Sequence, residues 1–200
     1  MTITEPENRR ARTSHIWETE EHQHYVEPPW VSRRLFEVER FEGGICDPCC
    51  GLGNILDSAV LAGHPVSGFD IVDRGAGFMT AQRDFFSISD AKPNIVSNPP
   101  FDGIERFALH ALSLADRKVA MICPTRRLNA AGKWLKGTPL YRIWYITPRP
   151  SMPPGQEYIR LWEQGKEASG GTVDFCWLVW LNGYEGEPVA RWLHRDGDAA

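Results

Sequence analysis

The chain has 200 residues, 42% hydrophobic and 24% charged, which allows one well-filled core and leaves little room for a second domain. A formal net charge of -4 gives no overall basic field and weighs against tight nonspecific nucleic-acid binding. No apolar run is long enough to span a membrane, and the five cysteines, odd in number, read as buried thiols of a reducing, cytoplasmic compartment rather than as a disulfide framework.

Residues 1–23 are rich in Glu, Arg and Thr, with Ile3, Ile16 and Trp17 as their sizeable apolar groups. They predict a flexible arm without a signal peptide, ahead of a single domain over 24–200. His22 and His24 flank Gln23 and read as solvated side chains rather than a ligand pair. In Tyr25-Val26-Glu27-Pro28-Pro29-Trp30 the prolines force an extended segment, and a helix is expected from the N-cap Ser32 through Phe41. Gly44-Ile45-Cys46 reads as a strand, Asp47-Pro48-Cys49-Cys50-Gly51-Leu52-Gly53 as a glycine-rich turn, and the next ten residues as a helix. Ile55, Ala59 and Ala62 share one face of that helix, and Gly63 is placed to end it. Glycines in such a turn let backbone approach a ligand. Cys46 and Cys49 are spaced like half a zinc site, but no second pair completes it, so no metal is expected. Pro65 to Asp70 reads as a second strand, ending in an acid that can take the two hydroxyls of a ribose. The G-L-G lacks the third glycine of the dinucleotide fingerprint, and no Gly-Lys-Ser/Thr follows it.

Asp73 to Gly77 reads as a turn. The apolar run Asn94-Ile95-Val96-Ser97 then stops at Asn98-Pro99-Pro100-Phe101. Neither proline can donate to a ladder or continue as helix, so Asn98 is delivered to the carboxyl edge of a strand, where open α/β sheets bind ligands. The Asn98 carbonyl and a carbonyl of the stiff Pro99-Pro100 pair can hold both hydrogens of a planar exocyclic amine, with the Phe101 ring as a stacking face. Alone, the segment would be a proline-rich turn.

Gly103 can open a helix with Ile104, Phe107, Ala108, Ala111 and Leu112 on one face, and Lys118 to Cys123 reads as the next buried parallel strand. His110 falls on that helix as a surface or boundary residue. The alternation predicts an α/β fold with a Rossmann-like doubly wound, mostly parallel sheet. From Pro124 to Arg160 the composition changes: Arg126, Arg127, Lys133, Lys136, Arg142, Arg149 and Arg160 stand against the single acid Glu157, interleaved with Trp134, Tyr141, Trp144, Tyr145 and Tyr158. Such a mixture suits phosphate contacts and base stacking, with Arg126, Arg127, Lys133 and Arg149 as the candidate nucleic-acid contacts. Pro148, Pro150, Pro153, Pro154 and Gly155 predict a non-helical loop. Gly165 to Gly171 reads as a linker, Thr172 to Leu181 as the most strand-like run with its tryptophans in the core, and Val189 to Leu193 as a short edge strand.

Asp47 to Gly53, Asp70, Asp84-Phe85-Phe86 and Asn98 to Phe101, in that order, resemble the class I S-adenosylmethionine-dependent amino-methyltransferases, most closely the small phage-type DNA adenine-N6 methyltransferases. The resemblance spans roughly residues 24 to 181. It implies the class I methyltransferase fold, closed by a C-terminal antiparallel strand. It implies that Asp47, Cys49, Gly51 and Gly53 bind the methionine part of the cofactor, that Asp70 binds its ribose, and that Asp84 with Phe85 meets its adenine. For Asp84 and its phenylalanines, a short-helix cap over two core rings is a near-even alternative, with the spacing from Asp70 and to Asn98 favouring the cofactor role. It carries Tyr25 and Glu27 over as residues that close on the cofactor, although Pro28, Pro29 and Trp30 could make this a surface brace. It makes Asn98, Pro99, Pro100 and Phe101 the catalytic segment, acting on adenine N6 with DNA ahead of RNA as substrate. Open alternatives are ribosomal RNA adenine or guanine N2, protein glutamine, which the basic aromatic stretch disfavours, and a noncatalytic nucleic-acid-binding module on the same fold. Oligomeric state is not legible.

Overall fold

The computed structural model describes residues 24–197, so the expected arm over 1–23 lies outside the described residues. The elements in chain order are α1 (Pro29–Val38), β1 (Ile45–Asp47), α2 (Asn54–Leu61), β2 (Val66–Asp70), β3 (Met79–Gln82), β4 (Lys92–Ser97), α3 (Ile104–Leu114), β5 (Ala115–Pro124), α4 (Leu128–Leu135), β6 (Leu140–Thr147), α5 (Gly155–Glu163), β7 (Phe175–Leu181) and β8 (Val189–His194). Two 3-10 turns, Phe85–Ser87 and Thr125–Arg127, precede β4 and α4. The strands form one eight-stranded sheet in the order β3-β2-β1-β4-β5-β7-β6-β8. Strands β1 to β5 pair in parallel, β7 runs antiparallel to both β5 and β6, and β8 is parallel to β6. The chain thus winds outward from β1 in one direction, then crosses back to β4, and the crevice at that switch point is where α/β sheets bind ligands.

Helices cover both faces because the central strands are apolar on both. Along β4, β5 and β7, Ile95, Met121 and Leu178 enter one core with Ile104, Ala108 and Ala111 of α3 and Leu135 of α4. Their sequence neighbours Val96, Ile122 and Val179 enter the opposite core with Val31 and Leu35 of α1 and Ile55 and Ala59 of α2. That alternation is the period of two of a pleated strand.

Local expectations shift where tertiary contacts win. Helix α1 starts at Pro29 with Pro28 as N-cap and stops at Val38, since a proline is favoured at the first helical position. Ser32 is buried inside it and Phe41 packs in the core beyond it. Ala62 caps α2 and is exposed, its expected core place being taken by Leu56. The exposed edge strand β3 follows the Asp73–Gly77 turn unannounced, and α4 and α5 occupy parts of the stretch read as a basic, loop-rich segment. The prolines do hold Pro148 to Pro154 out of helix, but Gly155 opens α5.

Glu39, just beyond α1 and 2% exposed, accepts from Lys118 Nζ (2.6 Å), Arg142 Nη1 (3.0 Å) and Trp144 Nε1 (2.9 Å). Removing one partner of a buried ionic cluster leaves the others uncompensated, so Glu39→Ala should lower stability by about 3–5 kcal/mol. Urea unfolding measures this, and a change under about 1 kcal/mol would mean that the cluster is solvated.

Candidate active site

The carboxyl ends of β1, β2 and β4 meet the segment His24–Glu27 around a cavity of about 350 Å³, within the range of small-molecule sites. At the end of β1, Asp47 is 1% exposed and its Oδ1 accepts from Ser97 Oγ at 2.7 Å and from the Cys49 N–H at 3.1 Å. Asp47 therefore ties the two central strand ends together. Burial raises its carboxyl well above the usual range, against the pull of these two hydrogen bonds. The turn then needs left-handed backbone, at Gly51 (φ 52°) and at Gly53 (φ 94°), which N-caps α2. Gly51 has a second reason to be glycine: a Cβ there would come within 2.7 Å of His24 Nε2.

At the end of β2, Asp70 Oδ2 accepts from the Gly51 N–H at 2.9 Å, while Oδ1 accepts from the Val72 N–H (2.9 Å) and Arg74 Nη1 (2.8 Å). A carboxylate has about four lone-pair sites and three are taken, so one hydroxyl of a diol can be accepted beside these donors and both only in exchange for Arg74. Asp84 caps the 3-10 turn by accepting from the Phe86 N–H at 3.0 Å, and Phe85 is buried against Phe107 (rings 6.0 Å apart, 21° between planes). Asp84 is thus a cap, with Phe85 in the core and Phe86 half-buried, and all three line the cavity. His110 holds this corner by donating its Nε2–H to the Phe85 carbonyl at 3.1 Å.

At the end of β4, Asn98 Nδ2 donates to the Tyr25 carbonyl and to Glu27 Oε2, both at 2.8 Å. Two acceptors on one side fix the amide: turned over, it would set oxygen against oxygen twice. Its Oδ1 is buried with no hydrogen-bond partner, and Asn98 is the one cavity-lining residue with such an atom among the described residues. Glu27 is 6% exposed, and burial lifts its carboxyl from an ordinary 4.5 to about 7, opposed by the Asn98 hydrogen bond. A raised acid stabilises the fold below its unfolded value and loses that contribution as pH rises through the folded one. At pH 8 the charged form therefore costs the protein on the order of 3 kcal/mol. Glu27→Gln should be more stable than the parent at pH 8, with the advantage fading by pH 4.5. Paired urea unfolding at the two pH values checks this, an equal difference at both being the contrary result.

The segment carrying Glu27 is itself pinned. The Val26 N–H donates to the Pro153 carbonyl (2.9 Å), the Gly155 N–H to the His24 carbonyl (3.0 Å), and Asn54 Nδ2 to the Glu27 carbonyl (2.8 Å). A Cβ on Gly155 would overlap His24 Nδ1 at 2.2 Å, so His24 sits between two glycines from distant parts of the chain.

Of the residues expected from sequence, Tyr25, Glu27, Asp47, Cys49, Gly51, Asp70, Asp84, Phe85, Asn98 and Pro100 line the cavity. Gly53 shapes the turn behind it. Phe101 stands beside it, its ring parallel to Tyr25 (7°, centroids 6.1 Å), and buried Pro99 lies between the two lining residues. Sequence reasoning missed His24, Asn54, Arg74 and Phe107 as lining residues. Burial and neighbouring acids push the Cys49 thiol up, which removes it as a nucleophile. Among the described residues no His, Cys, Asp and Glu cluster could hold a metal, and no helix is long and apolar enough to cross a membrane.

The basic stretch is less free than its composition suggested. Arg127 pairs with Asp102, Arg149 with Asp174 (2.7 Å), Arg142 with Glu39 (3.0 Å) and Arg160 with Glu157 (2.6 Å). Arg126 and Lys133 are exposed on the turn and helix that follow β5.

No protein-family model and no curated protein matches the chain. Among solved structures, it is similar to a candidate class I S-adenosylmethionine-dependent methyltransferase from Listeria monocytogenes (TM-score 0.55, 13% identity, over 86% of this chain and 66% of that one). It is similar to a candidate RNA methyltransferase from Pyrococcus horikoshii (0.52, 15%, 76% and 80%) and to the M protein of the type I restriction enzyme EcoKI (0.53, 14%, 80% and 44%). The fold is that of the class I methyltransferases.

Proposed function

We propose that the protein transfers the methyl group of S-adenosylmethionine to the exocyclic amine of a nucleobase, with adenine N6 in DNA as the acceptor. The observation that carries this is the Asn98 amide: a buried acceptor without a partner costs about 1–3 kcal/mol, and an amine donating to Oδ1 recovers that cost. Its position at the carboxyl end of β4 sets it beside the cavity whose other wall, Asp70 with Phe85, Phe86 and Phe107, suits a nucleoside.

The residues fit the cofactor. Asp70 offers an acceptor pair at the end of β2, the Gly51 turn brings backbone close, and the three phenylalanines give an adenine an apolar shelf. When bound, S-adenosylmethionine supplies a methyl carbon already activated by its sulfonium, whose C–S bond breaks as the amine lone pair forms the new N–C bond. Asn98 Oδ1 accepts one amine hydrogen and meets the positive charge that grows on nitrogen, and in this reading a carbonyl of the Pro99-Pro100 pair takes the second. No strong base is needed, since the proton leaves an already cationic amine. Alignment does most of the remaining work. An amine inside a duplex has to be flipped out of the stack to reach Asn98, and the Phe101 ring offers it a face.

DNA is preferred over protein because Arg126 and Lys133 are exposed past the catalytic segment, although Trp134, Tyr141, Trp144 and Tyr145 of that stretch pack against the protein's own cores rather than standing free to stack on bases. The EcoKI and Pyrococcus likenesses support nucleic acid as the class without separating DNA from RNA. Labelled methyl transfer to matched pools of duplex DNA, single-stranded DNA, ribosomal RNA and protein tests the proposal. Label in DNA is expected. Label in protein alone would overturn the nucleobase acceptor. Cofactor binding without transfer to any pool would leave a noncatalytic module.

A further inference from the structure

We propose that Glu27 is a positioning residue that keeps Asn98 in its accepting orientation, so that deprotonation of Glu27 switches the site on. The proposal rests on the methyltransferase reading. Glu27 touches neither reacting atom in it; it acts through Asn98. Glu27 Oε2 and the Tyr25 carbonyl together take the Asn98 NH2 group at 2.8 Å each, which leaves Oδ1 as the atom available to an amine. As a carboxylate Glu27 can only accept, and therefore enforces that orientation. As a carboxylic acid it can also donate, so it no longer enforces that orientation, and the Tyr25 carbonyl alone opposes a turned amide whose NH2 would repel the acceptor amine.

Three contacts hold the backbone that carries Glu27 at this point independently of any ligand. Asn54 Nδ2 grips the Glu27 carbonyl, the Val26 N–H binds the Pro153 carbonyl, and Tyr25 bridges to Pro154. The titratable and charged groups around it are Asp47 and Cys49 after β1, Asp70 and Arg74 after β2, Asp84 before the 3-10 turn, His24 and Tyr25 on its own segment, and Tyr158 of α5 through Asn54. Of these, Asp47 is driven further up by the Glu27 charge, as expected of two acids sharing one buried site. Burial raises Glu27 to about 7, which places its protonation within a workable range. The role implied by resemblance, closure on the cofactor, predicts instead a Glu27 whose loss weakens cofactor binding.

The test compares wild type, Glu27→Gln and Glu27→Ala by steady-state kinetics from pH 5.5 to 9, by calorimetry with S-adenosylhomocysteine, and by nitrogen-15 NMR of the Asn98 side-chain amide. In wild type, kcat should fall in acid, and the Asn98 amide signal should titrate with the same midpoint. Glu27→Ala should lose about 10²-fold in kcat with cofactor affinity within a few-fold of wild type. Glu27→Gln, which keeps one acceptor oxygen, should recover part of that loss with a flat acid limb and a pH-independent Asn98 signal. A Glu27→Gln protein that retains the wild-type acid limb would overturn the assignment, as would a Glu27→Ala protein whose defect is a raised cofactor Kd at unchanged kcat. A wild-type protein that methylates no acceptor would overturn the underlying reading instead. The Asn98 signal tells the two failures apart, because it follows the pair without turnover.

Discussion

Replacing Asn98 by alanine lowers kcat for methyl transfer by about 10²–10³-fold while cofactor affinity stays within a few-fold of wild type. The side chain is divided between two tasks: Nδ2 is spent on Tyr25 and Glu27, and Oδ1 is buried without a partner in a residue that lines the cavity. Its loss removes an acceptor that is needed most when positive charge develops on the amine, and hence acts on kcat rather than on ground-state binding. The measurement is single-turnover transfer at saturating cofactor, with calorimetry alongside. Unchanged turnover would sink the role given to the whole segment Asn98 to Phe101.

The second large effect falls on binding. Asp70→Asn should raise the cofactor Kd by roughly 10–100-fold, the loss of a charged acceptor to a hydroxyl being worth about 1.5–3 kcal/mol, with kcat at saturation nearly unchanged. Asp70→Ala should weaken binding at least as much and also destabilise the fold, because the Gly51 and Val72 N–H groups and Arg74 lose their partner. The asparagine variant keeps one acceptor oxygen and so disturbs these N–H groups less than alanine does. An unaltered Kd in both variants would show that Asp70 serves only to lock the glycine turn against Arg74.

How far the sequence could be read follows from the range over which each feature is encoded. The strand-turn-helix at Asp47 to Gly53 and the stop at Asn98-Pro99-Pro100 are local, and glycine and proline set them within a few residues. Their meeting at one crevice then follows from the winding of the sheet, since β1 and β4 are neighbours. The double apolar character of Ile95-Val96 and Met121-Ile122 likewise announced a sheet covered on both faces.

What was not legible is carried by contacts between remote residues, for which a single chain has no period. The Asn98 amide is held by Glu27 across 71 positions, and His24 is seated between Gly51 and Gly155. The basic run after Pro124 looked one-sided because its partners Glu39, Asp102 and Asp174 lie outside it. Strand β3 was missed because its residues are mostly exposed and carry no alternation, and α1 began early because the reading favoured a serine cap over a proline at the first turn. Arg74 did have a signal: it falls four residues after Asp70, within reach of the acid that ends β2.

The central claim, that Asn98 presents an acceptor to an exocyclic amine, is tested most directly by finding which atom is methylated. Duplex DNA incubated with the protein and deuteromethyl-labelled cofactor is digested to nucleosides and separated by mass spectrometry. Label on the exocyclic nitrogen, as N6-methyldeoxyadenosine, is the predicted result. Label on a ring nitrogen, on a ring carbon or on oxygen would contradict the account, because none of these brings an amine hydrogen for the Asn98 acceptor.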